Sequence, residues 1–194
     1  MKKCLAFMLI SKLILSSSIS AYNLNHYNKA IALSFKLKKQ KLPTIQEKNL
    51  SETDLTSANL ICANLICANL TRANLTSANL TSANLTSADL TGANLTSADL
   101  TGANLTMSNV TGANLKLIIL RWTKLINNNL TGANLIDADL TGADLTRANL
   151  TGADLTGTNL RFTNLTRTIL KDAKNMSQAQ KTYAKSQGAI NIPD

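Results

Sequence analysis

Ala73-Asn74-Leu75-Thr76-Ser77-Ala78-Asn79-Leu80-Thr81-Ser82 states one five-residue phrase twice, and that phrase governs the chain over 49–170. Leucine falls on every fifth position from Leu50 to Leu170, with Val110 the single substitute, so twenty-five consecutive units obey one rule. Two positions before the leucine usually stands a small residue, alanine without a break from Ala58 to Ala103. One position before it stands Asn or Asp in twenty-two of the twenty-five units, the exceptions being Ile119, Lys124 and Ile169. Thr, then Ser or Gly, commonly follow. A helix repeats its buried face about every 3.6 residues and a strand about every 2.0. A period of five matches neither, so neither a helical bundle nor an ordinary sheet holds all these leucines inside. A fixed repeat of this kind predicts a solenoid, in which each unit buries its apolar side against its neighbours.

The pattern A-[N/D]-L-x-x, as in Ala73-Asn74-Leu75-Thr76-Ser77, resembles that of the pentapeptide-repeat family across 49–170, nearly two thirds of the chain. The resemblance implies an all-β solenoid, a right-handed quadrilateral β-helix in which four units make one square coil. Leucine and the small residue then point inward and the other three positions point to water. It also implies about six coils, a rod about 29 Å long at about 4.8 Å per coil. The composition agrees: alanine beside leucine lets the backbone approach a narrow core, and Asn, Thr, Ser and Gly suit a corner every five positions.

The formal charge of +9 suggests nucleic acid until it is located. Residues 1–49 carry nine Lys and one acid, net +8; residues 50–170 carry seven Lys/Arg and eight Asp/Glu, net −1; residues 171–194 carry four Lys and two Asp, net +2. Phosphate binding needs cations clustered on the folded surface, and the repeat region as a whole supplies no net positive charge. Some members of the resembled family act as DNA mimics that bind gyrase through a strongly acidic face. Eight scattered acids are a weak imitation of DNA, so that regulatory role is the alternative rather than the leading expectation.

The termini differ from the repeats. Met1-Lys2-Lys3, an apolar run over 5–15 and small residues over 16–21 follow the order of a secretory signal, with Lys12 interrupting the apolar core. The run is shorter than the roughly 20 apolar residues that span a bilayer. Export to the periplasm or medium is therefore expected; a cytoplasmic protein, or one held at a membrane surface through 1–41, is the alternative. Asn-Leu-Thr sequons recur along the repeats, which suits a bacterial origin better than passage through a glycosylating secretory pathway. Residues 21–48 read as a basic connector or N-terminal cap, 49–172 as the β-helix and 173–194 as a C-terminal helical cap. Ser177-Gln178-Ala179-Gln180 fits a capping box that starts a short helix over 177–186. That cap shields the last coil or mediates a homodimer contact.

No catalytic constellation is present. His26, the single histidine, lies outside the repeats, so no Ser–His or Cys–His pair forms on the rod. Cys62 and Cys67 fall on adjacent sides of one coil, where neither a bond between them nor a zinc site is expected. Asp137 and Asp139 are expected to face water with ordinary acidity. A non-enzymatic scaffold without cofactor, metal or small-molecule substrate is therefore predicted, with another protein as its partner. Over 116–126 the outward positions become Leu117, Ile119, Arg121, Trp122, Lys124 and Ile126, while Ile118 replaces an inward alanine and should swell the coil locally. A twenty-residue coil places Trp122 and Phe162 in one outward column with Gly142 between, and Arg121 and Arg161 in the next column with Thr141 between. Two Arg–aromatic pairs about 10 Å apart across a small-residue gap are thus expected. Trp and Arg are enriched at interaction hot spots, so Leu117, Ile119, Arg121, Trp122, Lys124, Arg161 and Phe162 form the candidate partner-binding patch. Repeat drift is the plainer explanation of the same residues.

Overall fold

The structure, a computed structural model, describes residues 49–194; the expected signal peptide (1–20) and the basic connector (21–48) lie outside the described residues. Each five-residue unit makes a single parallel bridge to the residue twenty positions on: Asn49 to Asn69, Asp54 to Asn74, Asn59 to Asn79 and Asn64 to Asn84. The register holds unchanged as far as Asp154 with Lys174. Four columns of bridges make four sides, which we number by their leucines: side 1 from Leu50, side 2 from Leu55, side 3 from Leu60 and side 4 from Leu65. No extended strand forms among the described residues, so the sides of this solenoid are single bridges separated by turns. A corner every five residues leaves too little straight chain for a ladder.

The backbone hydrogen bonds explain the repeated phrase. In the unit around Leu75, Leu75 N–H donates to Asn94 O of the next coil at 2.7 Å and Ser77 N–H to Thr96 O at 2.9 Å. Asn74 N–H donates back to Thr53 O at 2.9 Å, and Ala78 N–H closes the turn on Leu75 O at 3.0 Å. Four of the five amides in a unit thereby have main-chain partners. The fifth, Thr76 N–H, has none, and the side-chain oxygen of Asn74 accepts it at 3.2 Å. All twenty-two units with Asn or Asp before leucine make this same bond. An amide left unpaired costs up to about 1–3 kcal/mol when buried, so the carboxamide or carboxylate stabilises each side that carries it, while the units of Ile119, Lys124 and Ile169 keep the register without it. The threonine hydroxyl usually donates to the same oxygen, as Thr76 does to Asn74 at 2.6 Å.

The corner residue two after each leucine has positive φ throughout, from Glu52 (56°) to Asp172 (55°). Glycine satisfies this at seven corners; Ser, Arg, Leu and even Trp occupy others. A left-handed non-glycine residue costs on the order of 1–2 kcal/mol, and the hydrogen bonds on both sides of each corner hold it there.

The leucines and alanines form one continuous core. Leu70, Leu75, Leu80, Leu85 and Leu90 are fully buried, whereas Leu60 and Ala63 of the first coil are only half-buried. Where the inward alanine is replaced by a polar residue, its side chain finds a carbonyl: Thr123 donates to Leu100 O, Thr158 to Leu135 O, Thr163 to Leu140 O and Thr168 to Leu145 O. Asn128 donates to Leu105 O and Ser108 Oγ, but its Oδ1 is buried without a partner. Ile118 is buried where alanine was expected, next to a small apolar void of about 10 Å³ that Val110, Leu115 and Leu120 also line.

One helix, α1 (Gln178–Ser186), follows the last coil. Ser177 accepts from Gln180 N–H while Gln180 Oε1 accepts from Ser177 N–H, a reciprocal capping box. The same Gln180 donates to Leu155 O and Thr158 O, and the Tyr183 hydroxyl donates to Thr163 O. Ala184 and Met176 join the core. Beyond the helix the chain returns, and Ile190 bridges Ile169 as one further parallel step.

Candidate functional site

The seven candidate residues lie on side 3 and its two bounding corners, except Lys124, which begins side 4. Leu117 holds the corner between sides 2 and 3 and is 48% exposed; Trp122 and Phe162 hold the corner between sides 3 and 4 and are 64% and 70% exposed. Arg121, Lys124 and Arg161 are exposed. Ile119 is half-buried, because it sits in the bridge column between Asp99 and Asp139. Ile119 and Lys124 also interrupt the rule of the fifth amide: neither supplies an oxygen for the amide two residues on.

The geometry corrects three expectations. First, the gap at Gly142 is not open. A Cβ there would lie 2.3 Å from Trp122 Cε3 and 2.4 Å from Cζ3, so the six-membered ring of the indole occupies the space a side chain would need. Second, only one Arg–aromatic pair forms: the Arg161 guanidinium carbon is 5.6 Å from the Phe162 ring centroid. Arg121 instead pairs with Asp139 of the next coil, Nε to Oδ2 at 2.5 Å. Third, Asp139 does not keep ordinary acidity. Burial pushes its carboxyl up, but hydrogen bonds from the Thr141 hydroxyl, Arg121 and Thr141 N–H, with the Arg121 charge, outweigh burial and hold it below 3.8.

The sequence reading passed over two further cations. Arg147 and Arg167 occupy successive positions of the corner after side 4, both exposed. Among the described residues the ion pairs are Arg72 with Glu52 and Arg121 with Asp139, so Lys124, Arg147, Arg161 and Arg167 carry charge without an ion-pair partner there. The twenty-residue column count that aligned Trp122 with Phe162 also aligns Arg147 with Arg167; the signal was present and unread. Cys67 keeps a free thiol, so no bond joins it to Cys62. Among the described residues no three His, Cys, Asp or Glu side chains are grouped to hold a metal ion, and no helix is long and apolar enough to cross a membrane.

A four-sided solenoid built from five-residue units, with an amide-capturing Asn or Asp before nearly every inward leucine, defines a narrow class of protein. The model for pentapeptide repeats matches eight copies, over residues 49–76, 78–116, 118–157, 133–172 and 148–180. The chain belongs to the pentapeptide-repeat family, and its coil is that family's right-handed quadrilateral β-helix. Among solved structures it is similar to HetL, a pentapeptide repeat protein of Nostoc sp. strain PCC 7120 involved in heterocyst differentiation regulation, at 35% identity over 66% of each chain and a TM-score of 0.42. It is similar to Rfr23 of the cyanobacterium Cyanothece 51142 at 46% identity over 41% of this chain and 54% of that one, with a TM-score of 0.41. A pentapeptide repeat protein of the Arabidopsis thaliana thylakoid lumen matches at 23% identity over 79% and 88% of the two chains, with a TM-score of 0.39. The chain thus spans 66% of HetL and 54% of Rfr23. No curated protein matches it.

Proposed function

We propose that this chain is a non-enzymatic interaction scaffold whose binding face for another protein is side 3, with its flanking corners, at coils 109–128 to 149–168. One observation carries the reading: Trp122 and Phe162, 64% and 70% exposed in one column, are the two most exposed large apolar side chains among the described residues. Exposed apolar clusters on a polar protein mark contact sites, and Arg161 stacked on Phe162 adds a residue type favoured at hot spots. Residues 49–172 act as the rigid rod, and 173–194 shield its last coil through Gln180 and Tyr183. A photo-crosslinking residue at position 162 tests the face. Adducts that vanish in the Trp122→Ser variant support it; partner capture unchanged by Trp122→Ser with Phe162→Ser, at unchanged stability, removes it.

Export by a bacterial host belongs to the same proposal, supported by the order of charge, apolar run and small residues over 1–21. N-terminal sequencing of the mature chain decides: a start near Tyr22 supports export, and an intact Met1 in the membrane fraction supports anchoring through 1–41 instead. The DNA-mimic role gains nothing from the face, whose exposed charges are mainly Arg and Lys.

A further inference from the structure

We infer that the surface between the aromatic corner and the arginine corner binds an acidic polypeptide segment bearing an apolar side chain. This rests on the reading of Trp122 and Phe162 as a contact face and names the partner's chemistry. Side 4 runs from the Trp122 column to the Arg147 column; over three successive coils one edge carries Trp122, Gly142 beneath the indole and Phe162, and the other carries Asn127, Arg147 and Arg167. All the charge of side 4 lies in those same three coils: Lys124, Arg147 and Arg167 against Asp144 alone. The three preceding coils of the same side present Asn64, Thr86, Met107 and similar uncharged groups. Aromatic side chains and unpaired cations therefore coincide on one half of one side.

The chemistry of the occupant follows. Lys124, Arg147 and Arg167 have no ion-pair partner among the described residues, so carboxylates are their complement, and arginine suits bidentate carboxylate binding. The Trp122 ring lies over Gly142 and leaves Phe162 beyond it, so an aliphatic or aromatic side chain seats against both. A nucleic-acid strand fits less well. Three cations against one carboxylate, spread over three coils, fall short of the clustered basic surface that phosphates need, whereas a mixed acidic and apolar segment uses both the cations and the aromatic corner.

Trp122 is the only tryptophan, so its emission reports occupancy directly. The probe is a synthetic peptide of repeated Glu-Asp-Phe-Glu, with a Lys-for-acid version as control. The expected result is a saturable blue shift of Trp122 emission with the acidic peptide and none with the basic one. Arg147→Glu with Arg167→Glu weakens binding about tenfold, and Asp144→Asn, which keeps the acceptor for Thr146 N–H, strengthens it. Circular dichroism melts establish that the variants fold. No saturable shift, an unchanged affinity in the double Arg variant, or stronger binding of oligo-dT than of the acidic peptide overturns the inference. If crosslinking at 162 finds a partner while the acidic peptide leaves Trp122 unaffected, the contact face stands and the acidic occupant falls.

Discussion

Asn94 shows what one residue does in this coil. Its Oδ1 accepts Thr96 N–H at 3.2 Å and the Thr96 hydroxyl at 2.7 Å, while its Nδ2 donates to Thr76 Oγ1 of the preceding coil at 3.0 Å. Asn94→Ala is expected to destabilise the rod by about 1–2 kcal/mol. Asn94→Asp keeps the acceptor and loses only the link to Thr76, so its loss should be smaller; chemical denaturation of both variants measures the difference. The sequence marks this position as a turn residue and no more, because which amide lacks a main-chain partner is decided only when coils stack. Gly142 is legible as a small residue between two aromatics, but its contact with the indole depends on a side-chain direction that spacing does not contain. Gly142→Ala places a Cβ into the Trp122 ring at a φ of 69°. We expect the indole to be displaced, the Trp122 emission to shift to the red, and a stability loss of about 1–3 kcal/mol from the left-handed backbone. Unchanged emission would place the ring elsewhere.

At the scale of elements, the C-terminal helix was readable in part. Ser177 followed three residues later by Gln180 is a local signal, and the structure has that capping box. The second use of Gln180, as donor to Leu155 O and Thr158 O, spans more than twenty residues and leaves no local trace. Ser177→Ala should cost about 1 kcal/mol, a lost cap. Gln180→Ala removes the cap's return bond and uncovers two carbonyls, so its thermal melting should fall further than that of Ser177→Ala. Side 3 has its own element-scale prediction. Asp139 is held below the ordinary carboxylate range, so its contribution to stability is full above about pH 4. It fades as pH falls through the ordinary value of 3.8 toward the lower folded one. Melting temperatures measured from pH 6 to pH 2.5 should show a shallower acid-induced loss for Asp139→Asn than for the parent chain. An identical pH profile would mean that Thr141 and Arg121 do not together hold the Asp139 carboxyl below its ordinary range in solution.

For the whole molecule, periodicity carried most of the information. The recurrence of Leu50, Leu55, Leu60 and their successors placed the core, because a five-residue period admits few folds that bury every leucine. The same count aligned Trp122 with Phe162 over Gly142. What periodicity lacks is side-chain pairing: Arg121 was equally free in sequence to stack on Trp122 or to reach Asp139, two contacts of similar size at an exposed site, about 0.5–1 kcal/mol for the first and about 0.2–1 for the second. Of the large apolar side chains exposed among the described residues, Leu117, Trp122 and Phe162 lie on the face where binding is proposed, while Met107 and Ile190 lie off it.

The inward leucine column supports every one of these statements. The most direct measurement compares Leu95→Asp with Ser97→Asp, two substitutions two residues apart, by circular dichroism and thermal melting. Leu95 is 1% exposed and Ser97 is exposed at a corner. An unpaired charge in the core should prevent Leu95→Asp from folding, while Ser97→Asp melts like the parent chain. A Leu95→Asp variant with native spectrum and melting temperature would contradict the four-sided tube itself.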